Sequence, residues 1–375
     1  MKTVRAVIIG YGGMGKKYAQ MLDAGEVSGM SLTGICCRNG KGQEEIRNQY
    51  PEVRIYEDAD GVFAAKDEFD AVVIVTPHDT HVPFGLMAAR AGKHILMDKP
   101  LGISAKEGAM LVTESEKSGI SLAMIFNTRM KGCFLSAGTF IKSGGLGRIT
   151  RAVWVCNTWY RTPAYHDSAP WRSTWSGEHG GLLINQCQHY LDIWQWLFGM
   201  PDEVYASIDY GKYNPITVDD SFDLQFFYKN GFRGTLISST GDNPGTNRLE
   251  IWGTKGRLTI TDGEELIFDE NVVSTDEFAR TNQDPFGKPD YVRKSLPAEN
   301  HKGEEYRMIF QNFSNHLLKG EKLMTRGEDG IRTLMMANGA YLSSWLEKKI
   351  PYPYDEDLYE KLLAQHAEDE KALTF

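Results

Sequence analysis

From Val4 to Gly15 the chain reads VRAVIIGYGGMG, an apolar run followed at once by glycines at positions 10, 12 and 15. A short continuous apolar run predicts a strand buried on both faces, and GGMGKKYAQMLDAG after it predicts a helix closed by Gly25. A buried strand, a G-x-G-x-x-G turn and a helix in direct succession define the first βαβ unit of a dinucleotide-binding sheet. Gly10 allows the tight turn, Gly12 lets the backbone approach a pyrophosphate, and Gly15 lets the helix pack close to the sheet. The helix N-terminus offers N–H groups to the anion. Tyr11, Gly13 and Met14 complete the loop and are taken with the glycines as cofactor contacts. The plainer alternative, a glycine-rich turn with no ligand, is disfavoured by the strand before it and the helix after it.

The same alternation continues. SLTGICCR, FDAVVIVTP, HILMDKPLG and ISLAMIF predict strands, and GKGQEEIRNQY, HVPFGLMAARAGK and SAKEGAMLVTESEKSG predict helices, the last with Ser104 as its N-cap. Repeated βα units with buried strands predict a doubly wound parallel sheet over residues 1–125. After Phe126 the strands lengthen and alternate, and YKNGFRG marks a hairpin because Asn-Gly suits a tight primed turn. Residues 126–375 are therefore expected to form a second α/β domain, with an open, mainly antiparallel sheet and two late helices, EYRMIFQNFSNHLLKG and GIRTLMMANGAYLSSWLEKK. The polar stretch 276–300 predicts a long ordered loop, and the tail EDLYEKLLAQHAEDEKALTF predicts at best a charged, exposed helix.

Charge and composition narrow the function classes. A net charge of −9 argues against a general nucleic-acid or anionic-membrane binder, which needs a basic surface. No apolar run approaches the roughly twenty residues of a membrane span. The N-terminal MKTVRAVIIG is charged too early for a secretion signal and reads as the first strand. Five cysteines, odd in number and without a Cys-x-x-Cys pair, point to reduced thiols in a cytoplasmic protein.

Cofactor choice is read at the end of the second strand, where NAD binders place a carboxylate against the ribose 2′-hydroxyl. Here Cys37, Arg38 and Asn39 stand instead. Arg38 can pair with a 2′-phosphate, which favours NADP, whereas stacking of Arg38 on the adenine would admit either cofactor. Two further strand ends carry TPHDTH and MDKPLG. Thr76, Pro77, His78, His81, Asp98 and Lys99 are taken as cofactor contacts because ligands bind at this edge of such sheets. His78 and His81 have no clearly paired third ligand, so no metal is expected.

A second constellation follows in GGLLINQCQHYLDIWQWLFG, residues 180–199. Its apolar spacing predicts a helix starting just after the glycine pair, with Asn185, His189, Asp192 and Trp196 on one face. The preceding stretch, NTWYRTPAYHDSAPWRSTWSGEHGG, holds Trp159, Tyr160, Arg161, Tyr165, His166, Trp171, Arg172, Trp175 and His179. Aromatic faces interleaved with hydrogen-bonding groups suit a carbohydrate ring, though Trp, Tyr and Arg also suit an oligomer contact.

Taken together, Gly10-x-Gly12-x-x-Gly15, Thr76-Pro77, His81, AGKHILMDKPLG and Gly180-Gly181 followed by Asn185, His189 and Asp192 resemble the glucose–fructose oxidoreductase and inositol dehydrogenase (Gfo/Idh/MocA) family, in order and over essentially the whole chain. The resemblance implies hydride transfer between NAD or NADP and a secondary hydroxyl of a sugar, glycoside or cyclic polyol. It implies Lys99 as the family lysine and His189 as its histidine, and a second-domain sheet that often mediates oligomers, hence a homodimer or homotetramer. In this scheme neutral His189 is the base for the hydroxyl proton, and Lys99 stabilises developing alkoxide charge. Asn185 orients substrate or imidazole, and Asp192 supports from behind. Arg161, Tyr165, Trp171, Arg172, Trp175, Asn185, His189 and Lys99 are the expected substrate contacts. The chain departs from the family in Asp98-Lys99-Pro100, where Glu-Lys-Pro is usual, and in Asn185, where aspartate is frequent. The latter argues against proton transfer through position 185. Two other functions fit the resemblance: glycoside cleavage by transient oxidation with a retained NAD, and a non-catalytic cofactor or sugar sensor. An intact lysine–histidine pair counts against the sensor.

Replacing Arg38 by Ala is expected to weaken NADP binding more than NAD binding, since only NADP carries the 2′-phosphate. Titrating both cofactors checks this, and equal losses would assign Arg38 to the adenine.

Overall fold

The computed structural model describes residues 2–299 and 301–372 of the 375-residue chain. Two compact units emerge: Met1–Asn127 with Gly177–His179 and Gly303–Leu334, and Thr128–Ser176 with Gly180–Lys302 and Met335–Phe375.

The first unit is built on β1 (Val4–Ile9), α1 (Gly13–Asp23), β2 (Met30–Cys36), α2 (Gly40–Gln49), β3 (Arg54–Tyr56), α3 (Ala59–Ala64), β4 (Ala71–Ile74), α4 (His78–Arg90), β5 (His94–Met97), α5 (Ala105–Lys117) and β6 (Leu122–Met124). Its six strands run parallel in the order β3-β2-β1-β4-β5-β6, the dinucleotide-binding arrangement. All four residues of β4 are buried, as the unbroken apolar run requires of a strand covered on both faces. Ser104 caps α5 in a reciprocal capping box with Glu107.

The second unit comprises α6 (Gly132–Lys142), β7 (Ile149–Cys156), α7 (Pro163–His166), α8 (Gln188–Phe198), β8 (Glu203–Tyr210), β9 (Asp219–Phe227), β10 (Arg233–Ser239), β11 (Asn247–Gly253), β12 (Gly256–Thr261), β13 (Glu265–Asn271), α9 (Thr275–Thr281) and β14 (Tyr291–Ser295). The chain continues through α10 (Glu305–Lys319), α11 (Gly327–Leu346), β15 (Ile350–Pro351) and α12 (Glu356–Ala372). A nine-stranded sheet runs β14-β13-β12-β11-β7-β10-β9-β8-β15, antiparallel except for the parallel pair β7–β10. The Asn-Gly hairpin joins β9 to β10, with Gly231 at φ +87° and Tyr228 N–H donating to Phe232 O. Alternating burial along β8 and β9 gives the sheet one packed face.

Three expectations change. Part of 276–300 is ordered as α9 and as β14, which adds a strand to β13. As far as Ala372 the tail is a folded helix, α12, with Tyr359 and Leu363 buried, rather than a merely exposed one; its last three residues lie outside the described residues. Residues 303–334, read from the sequence as part of the second domain, group with the first unit. The apolar face of α10 explains this, since Phe310 lies 5.0 Å from the Tyr18 ring and Ser314 donates to Ser28 O.

Candidate active site

In the first unit, Gly10, Cys37, Thr76 and Asp98-Lys99 lie just beyond the C-terminal ends of β1, β2, β4 and β5, four adjacent strands. The glycine loop has the predicted shape. Gly10 sits at φ +110°, and a Cβ there would lie 2.5 Å from Val75 O, while one at Gly15 would lie 2.2 Å from Gly10 O. A Cβ at Gly12 or Gly13 would meet nothing within 4 Å, so the backbone of this turn is open to a close-lying group. No side chain caps the N-terminus of α1, and its first turn holds no acid. These residues fit a dinucleotide: an uncapped helix N-terminus beside an open glycine turn is suited to a pyrophosphate.

Arg38 is exposed at the end of β2, next to buried Cys37, whose carbonyl accepts from Gln43 Nε2 at 2.8 Å. Asn39 caps α2 by accepting from Lys41 N–H at 2.9 Å. The Asp98 carboxylate accepts from Lys99 N–H at 2.8 Å and from Tyr18 O–H at 3.3 Å. Burial pushes this carboxyl up, against the pull of Lys99 and His81.

His78 and His81 are both buried, and burial lowers both. The His81 ring nitrogens lie 2.6 Å from Pro100 O and 2.8 Å from Thr76 O. The neutral ring lies between the loop after β4 and the lysine loop after β5 and donates its one N–H to one of these two carbonyls. His78 Nδ1 lies 3.2 Å from Glu178 O. Among the described residues no group of three His, Cys, Asp or Glu side chains is arranged to hold a metal ion.

In the second unit the regular helix begins at Gln188, later than the sequence spacing predicts. Residues 182–187 form turns instead, in which Cys187 N–H reaches back five residues to Leu182 O. Asp219 supplies the reason. Its carboxylate accepts from Gly181 N–H at 2.7 Å, Leu183 N–H at 2.7 Å and Tyr341 O–H at 2.6 Å, and its carbonyl accepts from Leu182 N–H. The glycine pair follows from this grip: a Cβ at Gly181 would lie 2.1 Å from Asp219 O, and one at Gly180 2.3 Å from the Tyr341 hydroxyl.

Asn185 and His189 are half-buried, whereas Asp192 is fully buried. Asp192 is engaged by a residue the sequence reading did not single out. Arg129 donates to it from Nε at 3.0 Å and from Nη2, and Gln195 Nε2 donates at 3.2 Å. Asp192 thus anchors α8 through a buried ion pair. Trp196 packs against α6, where a Cβ at Gly138 would lie 2.5 Å from its ring, and the Lys142 ammonium lies 4.7 Å from the ring centroid. Arg129 stands in the polar run NTRMKG and carries no local signal of this role, because periodicity does not name a partner 63 positions away.

The aromatic stretch divides into two groups. Around Tyr165, the Arg161 and Arg172 guanidiniums lie 4.7 and 4.5 Å from the ring centroid, and Arg172 Nη1 and Gln186 Nε2 each donate to the Tyr165 hydroxyl at 2.7 Å. Arg172 also covers Trp171 at 4.7 Å, and His166 Nδ1 lies 2.6 Å from Ser173 Oγ. Trp159 stacks on Tyr190 at 5.0 Å, while Tyr160 is exposed. Trp175 stands apart: it is 3% exposed, with its indole N–H donating to Thr217 O at 2.9 Å. It serves as an anchor of the loop rather than as open aromatic surface. His179, at φ +63°, immediately precedes the glycine pair.

A parallel sheet of this strand order, with an open glycine turn at its carboxyl edge, defines a dinucleotide-binding unit. Likeness to known proteins reaches beyond that unit. Residues 4–126 match the family model described as the oxidoreductase family with an NAD-binding Rossmann fold, and residues 134–259 match the GFO/IDH/MocA C-terminal domain. The chain belongs to the GFO/IDH/MocA family of oxidoreductases. It is 24% identical over 359 residues to scyllo-inositol 2-dehydrogenase (NADP(+)) of Bacillus subtilis, covering 91% of this chain and 94% of the relative. It is 25% identical over 354 residues to inositol 2-dehydrogenase of Rhizobium meliloti, covering 91% and 97%. The fold is shared with the WlbA dehydrogenase of Bordetella pertussis, solved with NADH and UDP-GlcNAcA, at a TM-score of 0.79 and 22% identity, covering 94% of this chain and all of that one. No helix among the described residues is long and apolar enough to cross a membrane.

The close approach at Gly181 predicts that Gly181→Ala lowers stability by about 1–3 kcal/mol, the usual cost of overpacking. Gly40→Ala, where a Cβ meets nothing within 4 Å, is the control and should change little. Denaturant unfolding midpoints compare the two.

Proposed function

We propose that this oxidoreductase oxidises a secondary hydroxyl of a sugar, glycoside or cyclic polyol, with NADP accepted at least as well as NAD. The observation that carries the reading is the second unit's own arrangement. Half-buried Asn185 and His189 stand on a segment fixed by Asp219, in a chain whose 157–179 stretch gathers Trp171, Tyr165, Arg161 and Arg172. Flat aromatic faces and forked donors match the C–H faces and hydroxyl edges of a sugar ring. The names of the inositol dehydrogenases among its relatives support the same substrate class.

Gly10, Gly12 and Gly15 and the uncapped start of α1 would hold the dinucleotide, which would supply a hydride acceptor for the carbinol carbon. We assign His189 the role of base for the hydroxyl proton, and Lys99 that of stabilising developing alkoxide charge. The amide of Asn185 holds the substrate or the imidazole in line. Asp98 holds the Lys99 backbone N–H, and the buried His81 ring packs against Pro100 O, so both position the lysine loop. At the cofactor's other end, exposed Arg38 and the absence of a carboxylate at Cys37 support a 2′-phosphate. The protein is proposed to act as a homodimer or homotetramer.

Lys99→Met and His189→Ala are each expected to cut turnover strongly, by about a hundred- to ten-thousand-fold for a general base, while cofactor affinity changes little. A panel of pyranosides, inositols and isopropanol, read by nicotinamide absorbance, tests the substrate class. Measurable oxidation of a ring polyol and almost none of isopropanol is expected. Near-normal turnover by a folded His189→Ala protein would remove the histidine from the reaction. Cleavage of a glycoside without net cofactor reduction would replace the dehydrogenase by the cleaving enzyme.

A further inference from the structure

The loop that carries the proposed substrate contacts contains one four-residue helix, α7, and then runs through turns to the glycine pair. Backbone N–H groups in such a loop lack a sheet ladder and need other acceptors. At Trp175 and Ser176 the acceptor comes from far along the chain. Glu370, near the end of α12, accepts at Oε1 from Trp175 N–H at 2.8 Å and from the Thr217 hydroxyl. At Oε2 it accepts from Ser176 N–H at 2.9 Å and from the Ser176 hydroxyl at 2.8 Å. One carboxylate thus takes four donors, the full capacity of its two oxygens. Partial burial opposes its charge, but the hydrogen bonds from Thr217, Trp175 and Ser176 outweigh it and hold the carboxyl below its ordinary range.

The same helix closes on the Trp175 side chain. His366, one helical turn before Glu370, stacks on the Trp175 indole at 5.2 Å and 28°. Tyr341 and Trp345 meet the indole edge-on at 5.5 and 5.7 Å. The helix is itself rooted: Tyr359 is 1% exposed and stacks on Trp345 at 5.8 Å. Thr217, the third group held by Glu370, lies two residues before Asp219, which grips the turn leading to Asn185 and His189.

We propose that Glu370 is a positioning residue: α12 acts as a clamp whose carboxylate sets the path of the 171–176 loop, and so the affinity for the sugar or polyol, without touching the substrate. This rests on the reading of the loop as substrate-contacting. Trp171 and Arg172 enter the clamped segment only three to four residues before Trp175, so a loop released at Trp175 and Ser176 frees them as well.

Hydrogen exchange and kinetics on the full-length chain separate this proposal from the functional reading beneath it. In Glu370→Ala, exchange at the Trp175 and Ser176 amides is expected to rise by about tenfold or more, with the amides of α8 unchanged. Glu370→Gln keeps one acceptor oxygen and should fall between Ala and wild type. With myo-inositol as probe at saturating cofactor, Glu370→Ala should raise KM about fivefold or more, change kcat by less than about twofold and leave cofactor affinity unaltered. Glu370→Gln should restore part of that KM. Unchanged exchange at both amides overturns the clamp whatever the kinetics. Faster exchange throughout α8, with KM, kcat and cofactor affinity all impaired, also overturns it, because the carboxylate then serves general stability alone. If wild type turns over no member of the sugar panel, the substrate reading fails while exchange still decides the clamp.

Discussion

A buried carboxylate at the first residue of β9 organises the second unit. Asp219 meets two backbone N–H groups and a tyrosine hydroxyl in a place where burial alone pushes its carboxyl up. Charge-assisted hydrogen bonds of about 1.5–3 kcal/mol each offset part of a desolvation cost of several kcal/mol, and burial still wins at this carboxyl. Because the donors are backbone groups on both sides of Leu182, the carboxylate fixes the path of the chain and not merely a side chain. That path is too close to the strand for a side chain at position 181, which is why a glycine stands there. The next residue, Asp220, does the complementary task with its own carboxylate, accepting from the N–H groups of Lys212, Tyr213 and Asn214. Adjacent residues in a strand point to opposite faces, so two neighbouring acids order two different segments.

The helix behind the glycine pair is fixed at a second point by Arg129 and Asp192, which are 3% and 0% exposed at their side chains. Removing one partner from such a pair leaves a buried charge and costs about 3–5 kcal/mol, more than the intact pair contributes over an apolar substitute. The pair is therefore better understood as setting the position of α8 than as stabilising the fold. In the first unit, the buried His81 ring packs between two strand-end loops, with Pro100 O at 2.6 Å and Thr76 O at 2.8 Å.

Much of the architecture was legible before any coordinates. The apolar runs of the first third became parallel strands because burial on both faces leaves no room for alternation, and the Asn-Gly hairpin formed where the turn chemistry demanded it. Helix α8 was legible as a helix but not in its start, because an acceptor 38 residues away in sequence captures the N–H of Gly181. Trp175 illustrates the opposite case. An indole beside Arg172 and Ser176 reads as open aromatic surface, yet the ring is enclosed by residues of α11 and α12, so its composition was informative and its exposure was not.

The class of the protein is written in three short motifs: the glycine turn, whose spacing local backbone chemistry imposes, the lysine–proline loop, and the glycine-pair histidine segment. Which charged residues find one another is settled by packing over long sequence distances. Arg129 and Asp192 are 63 positions apart, and Trp175 and Glu370 are 195 apart. Local periodicity says which face of an element is apolar. It carries no information about which of 50 acidic residues an arginine or a stranded amide will meet, because that choice is made by the packing of elements from distant parts of the chain.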